Sequence, residues 1–180
     1  MKKLLVFLAV LLVLGATFAA SQPVPGKKFE LSGSFALGGS NFGGGESQTV
    51  LHLPVRFGFF IWKGLEIEPE LFLQALFLDE GSRASYNLRA NVAYHFGTSK
   101  PLVPFVLAGL GTGNGLAIGP GMERLGTGVT LLNLGGGVKY VIGKLVAIRI
   151  EYRFTHYWVN KFESGWVNTH ELLAGFGIFF

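Results

Sequence analysis

The sequence predicts an all-β fold: an eight-stranded antiparallel transmembrane β-barrel with short periplasmic turns and longer outer loops. Three observations lead there. First, hydrophobic residues make up 49% of the 180 and charged residues 14%, against about a quarter charged in soluble domains. Yet beyond the first segment nothing reads as a spanning helix: the longest later stretch without a charge, Pro101 to Met122, holds three prolines and six glycines, which no stable helix tolerates. Second, apolar and polar residues alternate over segments of about ten residues, the length a tilted strand needs to cross the hydrocarbon. Third, the chain stops at Phe180, with Ile178, Phe176, Ala174 and Leu172 on the same face.

Composition excludes several other classes. Mean hydropathy is +0.44, whereas disorder needs low hydrophobicity and high charge. There is no cysteine, so a disulfide scaffold and a thiolate zinc site are ruled out, and no cofactor or metal is expected. The length suits one domain. The formal charge of +4 falls to 13 basic against 11 acidic residues once Lys2 and Lys3 are set aside, too even a balance for a nucleic-acid footprint.

Residues 1–21 read as a cleaved signal peptide. Met1-Lys2-Lys3 is a positive start, Leu4 to Leu14 an apolar run of 11, and Ala16 to Ser21 supplies small residues for cleavage after Ala19 or Ser21. The run is short of the roughly 20 residues of a spanning helix. Residues 22–180 are then the barrel, exported to a bacterial outer membrane.

Parity sorts the faces. In Leu145–Phe154 the even positions Val146, Ile148, Ile150, Tyr152 and Phe154 oppose Arg149, Glu151 and Arg153. In Leu65–Phe77 the odd positions are apolar and Glu66, Glu68, Glu70 and Gln74 are even. Tyr86–Phe96 and Leu51–Ile61 alternate likewise. Four further strands are expected near Lys28–Leu37, Leu102–Thr112, Val129–Ile142 and Trp166–Phe180. The connections at Trp62-Lys63-Gly64, Gly97–Lys100 and Gly143-Lys144 are short, and those around Gly38–Glu46, Leu78–Arg83, Asn114–Gly128 and Asn160–Gly165 mostly longer. Pro54, Pro69 and Pro104 each delete a ladder donor, so bulges are expected there.

The same parity gathers Glu30, Glu66, Glu68, Glu70, Glu151 and Glu171 inside, with Arg56, Arg89, Lys139, Arg149 and Arg153. An eight-stranded barrel has an interior just wide enough for side chains to fill, and buried charges persist when paired. The interior therefore reads as a charge network that plugs the barrel, with a proton or ion path as the alternative. Gly109, Gly111, Gly113 and Gly115 resemble a phosphate loop only superficially, because no helix follows; relief of crowding explains them. Phe176, Ile178 and Phe180 read as an assembly signal for the outer-membrane barrel assembly machinery.

The last hairpin carries the chemical question. His156 continues the outward face of its strand, past the membrane-crossing length, and His170 stands at a similar height. A hairpin centred near Glu163 sets His156 and His170 side by side, with Trp158 and Asn168 next. Tyr157, Trp158 and Trp166 suit an interfacial aromatic girdle, to which a histidine can belong; an outward histidine at headgroup height also suits a general base acting on lipid.

Here the chain resembles a known family. Ile150-Glu151-Tyr152-Arg153-Phe154-Thr155-His156, then Gly165, Asn168, His170, Leu172-Leu173 and Gly175, is similar to the end of the lipid A 3-O-deacylases and acyloxyacyl-hydrolase-like outer-membrane proteins. Pro101-Leu102-Val103-Pro104-Phe105 with Ala108-Gly109-Leu110-Gly111, and Gly136-Gly137-Val138-Lys139-Tyr140, resemble it too. The likeness runs roughly from residue 65 to 180. It implies a site on the outside of the barrel, where a histidine, a serine two positions later and an acid on the next strand cut an acyl ester from lipid A. His156 matches the histidine as candidate base, Trp158 stands at the serine position and Asn168 nearest the acidic one. A tryptophan cannot be the nucleophile; Thr155 points inward and Ser164 lies in the loop. The reading is a divergent, non-catalytic member that contacts lipid A or lipopolysaccharide. The alternatives are an acyl-ester hydrolase using His156 and a small structural or adhesion barrel of the OmpX kind.

Overall fold

The computed structural model describes residues 26–41, 47–78, 81–96, 101–114, 128–159 and 166–180; the expected signal peptide lies outside them. Eight strands follow in order: β1 (Phe29–Asn41), β2 (Ser47–Trp62), β3 (Leu65–Leu78), β4 (Gly81–His95), β5 (Leu102–Gly113), β6 (Val129–Ile142), β7 (Val146–Val159) and β8 (Trp166–Phe179). Each pairs antiparallel with its neighbours, and β8 closes on β1. No helix among the described residues is long and apolar enough to cross a membrane; the strands supply the crossing surface.

Closure fixes the shape. From Phe176 on β8 the ladder partners run Gly33, Val55, Leu71, Leu88, Thr112, Thr130 and Trp158, then return to β8 at Trp166. The circuit closes ten residues from its start, a shear that with eight strands tilts them by about 40°. Each residue then climbs ~2.5 Å along the barrel axis.

Alternation governs the two surfaces. On β7 the odd residues Ala147, Arg149, Glu151, Arg153, Thr155 and Tyr157 are buried, while Ile148, Ile150 and Tyr152 are about half exposed. Outward positions of the described strands carry no Asp, Glu, Lys or Arg. Inside, Phe60, Ala147 and Phe179 fill the end nearest the turns at 63–64 and 143–145, with Val141 against them. Val129, Leu131 and Tyr157, with Val167, line the opposite, loop end. Charged side chains occupy the lumen between.

Several expectations shift. The β3–β4 connection narrows to residues 79–80, because 81–83, expected in the loop, join β4. The β1 and β2 strands likewise run further than expected and leave only 42–46 between them, while the connection after β5 stays long. No bulge forms at the prolines. The β2–β3, β3–β4 and β5–β6 registers pass Pro54↔Phe72, Pro69↔Ala90 and Pro104↔Val138 without a shift. On its other side Pro54 interrupts the β1–β2 ladder, which resumes in the same register from Gly33↔Val55 to Ala36↔His52. A missing donor costs one ladder bond, and neighbours on both sides of a closed sheet hold the register. The one register shift falls between Phe60 and Trp62, beside the turn.

Candidate functional site

The β7–β8 register corrects the expected hairpin geometry. His156 faces Asn168, not His170, and His170 faces Phe154. Both histidines do point outward, as strand parity requires, and they are the only outward imidazoles among the described residues. His156 Nδ1 lies 2.6 Å from Asn168 Oδ1. An amide oxygen only accepts, so the Nδ1–H donates, and in the neutral ring Nε2 then keeps its lone pair. The ring sits between two indoles: Trp158 edge-on at 4.5 Å and Trp166 stacked at 5.8 Å. Trp158 and Trp166 are themselves direct ladder partners. His170 packs on Phe154 at 5.2 Å, and its Nδ1 is hydrogen-bonded to the Tyr152 hydroxyl at 2.6 Å.

This surface holds the elements of an oriented base without a serine beside it among the described residues. Asn168 orients His156, the role an acid has in a triad, without the negative charge that stabilises an imidazolium. Trp158 occupies the position where the resemblance implies a serine. Thr155 is fully buried on the lumen side, and Ser164 lies outside the described residues. Two further residues carry no sequence signal of their own: Tyr152, an outward aromatic by parity, and Thr130, an outward hydroxyl opposite Trp158 on β6. Only the register reveals their proximity to the histidines.

The lumen network is built from the residues that parity placed inside. Arg149 holds Glu68 with two bonds, 2.6 and 3.2 Å, and Glu151 at 2.8 Å. Arg153 bridges Glu151 (2.6 Å) and Glu70 (2.6 Å). Arg56 donates to Glu70 at 2.7 Å and to Ser34 at 2.8 Å. Arg89 lies 3.4 Å from Glu70, donates to the Tyr157 hydroxyl at 2.9 Å and stacks on Phe72 at 3.6 Å. Lys139 reaches Glu30 at 2.5 Å and Glu66 at 3.2 Å. Glu171, also buried, meets His52 Nδ1 at 2.5 Å. Charges this close in a low-dielectric interior hold each other, because removing one strands its partner.

Glycines make the room. A Cβ at Gly58 would strike the Glu66 carboxylate, and one at Gly177 would come 2.5 Å from Glu30 Oε1. Gly109, Gly111 and Gly113 face the lumen against Asn91, Arg89 and Asn87; Gly115 lies outside the described residues. On β8 and just beyond it, Phe176, Ile178 and Phe180 all point outward. Phe180 exchanges main-chain bonds with Phe29 at 3.1 and 3.0 Å, and its ring stacks on Phe29 at 5.8 Å. The terminal aromatic thus sits on the seam where β8 meets β1.

No curated protein sequence matches the chain. Among solved structures it is similar to Neisserial surface protein A (17% identity over 84% of this chain and 96% of that one, TM-score 0.59). It is also similar to the N-terminal β-barrel domain of Pseudomonas aeruginosa OprF (19%, 86% and 98%, TM-score 0.57). A third similar structure is the outer membrane enzyme PagL (15%, 82% and 97%, TM-score 0.51). At such identities the likeness speaks for the barrel alone. A protein-family profile, the outer membrane protein beta-barrel domain, matches residues 5–180, and the chain belongs to that family.

Proposed function

We propose that this barrel holds an outer-leaflet lipid, lipid A, against the outward face of β7 and β8, as a divergent, non-catalytic relative of the lipid A deacylases. One observation carries the reading. The lipid-facing surface has its only imidazoles here, each oriented through Nδ1 by a neighbouring polar side chain, Asn168 or Tyr152. Tyr152 lies six residues below Trp158 on the same strand, or about 15 Å of barrel height. The polar strip therefore runs from the indole level down toward the acyl region. At corresponding positions β1, β2 and β3 present Leu37, Leu53 and Leu73. A polar side chain facing hydrocarbon is costly unless something satisfies it, and ester carbonyls and hydroxyls of a bound lipid would do so.

The rest of the reading follows from it. The protein is exported by its signal peptide to the Gram-negative outer membrane and inserted there by the barrel assembly machinery, with Phe176, Ile178 and Phe180 as the recognised end. The test is co-purification. Wild-type protein and the His156→Ala/His170→Ala double variant are extracted in mild detergent, and bound lipid A is counted per barrel by mass spectrometry. The proposal expects a several-fold drop in the variant; equal lipid A on both would leave a structural barrel. Acyl release from lipid A by the wild type, lost in His156→Ala, would instead support the hydrolase.

A further inference from the structure

Glu171 is the lumen carboxylate with no arginine or lysine within ion-pair distance among the described residues. Among the described lumen residues six glutamates meet five such cations. Glu30 and Glu66 share Lys139 within 3.2 Å; Glu68, Glu70 and Glu151 are gripped by Arg149, Arg153 and Arg56, with Arg89 3.4 Å from Glu70. Arg153, directly opposite Glu171 on β7, is committed to Glu151 and Glu70. Glu171 is left with the imidazole of His52.

A second observation points to a ligand. Neither carboxylate oxygen of Glu171 has a well-formed hydrogen bond, although the residue is 6% exposed. The hydroxyls of Thr155 and Thr169 are also buried without a partner. Thr155 and Thr169 face each other across the ladder, and Glu171 is the next inward residue on β8. Glu171 Oε2 and the two hydroxyls thus lie without a partner at adjacent inward positions of one hairpin, with Glu171 Oε1 against His52, on the loop-end side of the charge network.

We propose that Glu171, Thr155 and Thr169 form a site for a hard, oxygen-preferring metal cation in the loop end of the lumen. The donor set is all oxygen, as such ions require. Among the described residues there is no group of three His, Cys, Asp or Glu that could hold a metal ion, so the donors here are one carboxylate and two hydroxyls. Water alone would fill the hydrogen bonds but leave the described lumen, with six glutamates and five arginines and lysines, one positive charge short. His52 steadies the carboxylate from the β2 side and is 15% exposed, so the ion enters from the loop end. The lipid-facing site plays no part, and the proposal stands or falls separately from it.

The test compares urea-unfolding midpoints of the full barrel in lipid-free detergent. Sodium, magnesium and calcium chlorides are each titrated against N-methylglucamine chloride at matched ionic strength. The expected result is a saturable rise with at least one metal ion, sodium or a divalent, which identifies the occupant. The rise should be lost in Glu171→Gln and in Thr155→Val/Thr169→Val, and kept in His52→Gln. Where Glu171→Gln does not fold, the threonine pair gives the answer. Equal midpoints in all four salts would overturn the site. A rise that survives the threonine and Glu171 replacements would place the ion elsewhere and overturn it as well.

Discussion

Replacing Arg149 with leucine isolates the lumen network at its most connected cation. The wild-type guanidinium grips Glu68 through two bonds, binds Glu151 through a third and lies 4.4 Å over the Phe105 ring. Without it, Glu151 keeps Arg153 at 2.5 Å, but Glu68 keeps only Lys139 at 3.8 Å. The cost therefore concentrates on one buried, nearly unpaired carboxylate, about 3–5 kcal/mol. Removing that carboxylate as well should return most of the loss. Arg149→Leu/Glu68→Leu is expected to be the more stable of the two variants, with a coupling energy of roughly 2–3 kcal/mol. Ile150→Arg, one residue along and 49% exposed, puts a charge on the lipid face and should cost about 2–4 kcal/mol in bilayers. The assay is urea unfolding in phospholipid vesicles, followed by fluorescence of Trp62, Trp158 and Trp166. If Arg149→Leu unfolds at the wild-type midpoint and the double variant is no better, Arg149 does not neutralise a buried carboxylate and the lumen argument fails.

Other outcomes follow from the same structure. The folded barrel should migrate as a heat-modifiable band in SDS gels. Deleting Phe180 removes its two main-chain bonds and its ring contact with Phe29, so that band should weaken in membranes; an unchanged yield would refute a role for the terminal aromatic. Gly58→Val drives a side chain into the Glu66 carboxylate and should destabilise by about 1–3 kcal/mol. Gly33→Val, which meets nothing within 4 Å on the outward face, should be tolerated; the two urea midpoints decide. In detergent the native protein should release little or no acyl chain from lipid A, since a lone oriented histidine offers only general-base activation, typically ~10²–10⁴-fold. Trp158→Ser/Asn168→Glu should raise that release, as read by mass spectrometry of the lipid; strong release by the native chain, abolished by His156→Ala, would refute the non-catalytic reading.

The strands were legible because a barrel wall writes itself into the chain at period two. Glu66, Glu68 and Glu70 alternate with Ile67, Pro69 and Leu71, and a side chain on a strand has only two directions to take. Which charges meet was not legible. Lys139 reaches Glu30 across 109 residues of sequence because the barrel closes with a shear of ten residues, a global quantity that no local segment encodes. The last hairpin failed for a related reason. Its strands were placed correctly, but the sequence between Val159 and Trp166 carries no signal that fixes the centre, so a register centred one residue away set His156 against the wrong partner. Pro54, Pro69 and Pro104 misled in another way: a rule drawn from open sheets, where an unsupported strand bends, does not transfer to a wall held from both sides.

The two faces also explain why fold and chemistry separate so readily in this barrel. Every lumen glutamate touches residues from other strands, so a change at Glu70 disturbs Arg56, Arg89 and Arg153 together. The interior is therefore constrained as a unit. His156, Trp158, Asn168 and His170 bear no such load. They face outward, bond within one hairpin and leave the lumen untouched. A tryptophan in place of a serine at residue 158 removes a nucleophile and adds an interfacial anchor, and it costs the fold nothing the structure reveals. Barrels with the same wall can then gain or lose an outward site by a few substitutions, so a TM-score of 0.51 with PagL at 15% identity speaks for the wall alone. What decides the activity is whether the outward hairpin supplies a nucleophile within reach of His156 Nε2. Trp158 packs edge-on against that imidazole, and the outward hydroxyl that the register brings alongside is Thr130, opposite Trp158 on β6.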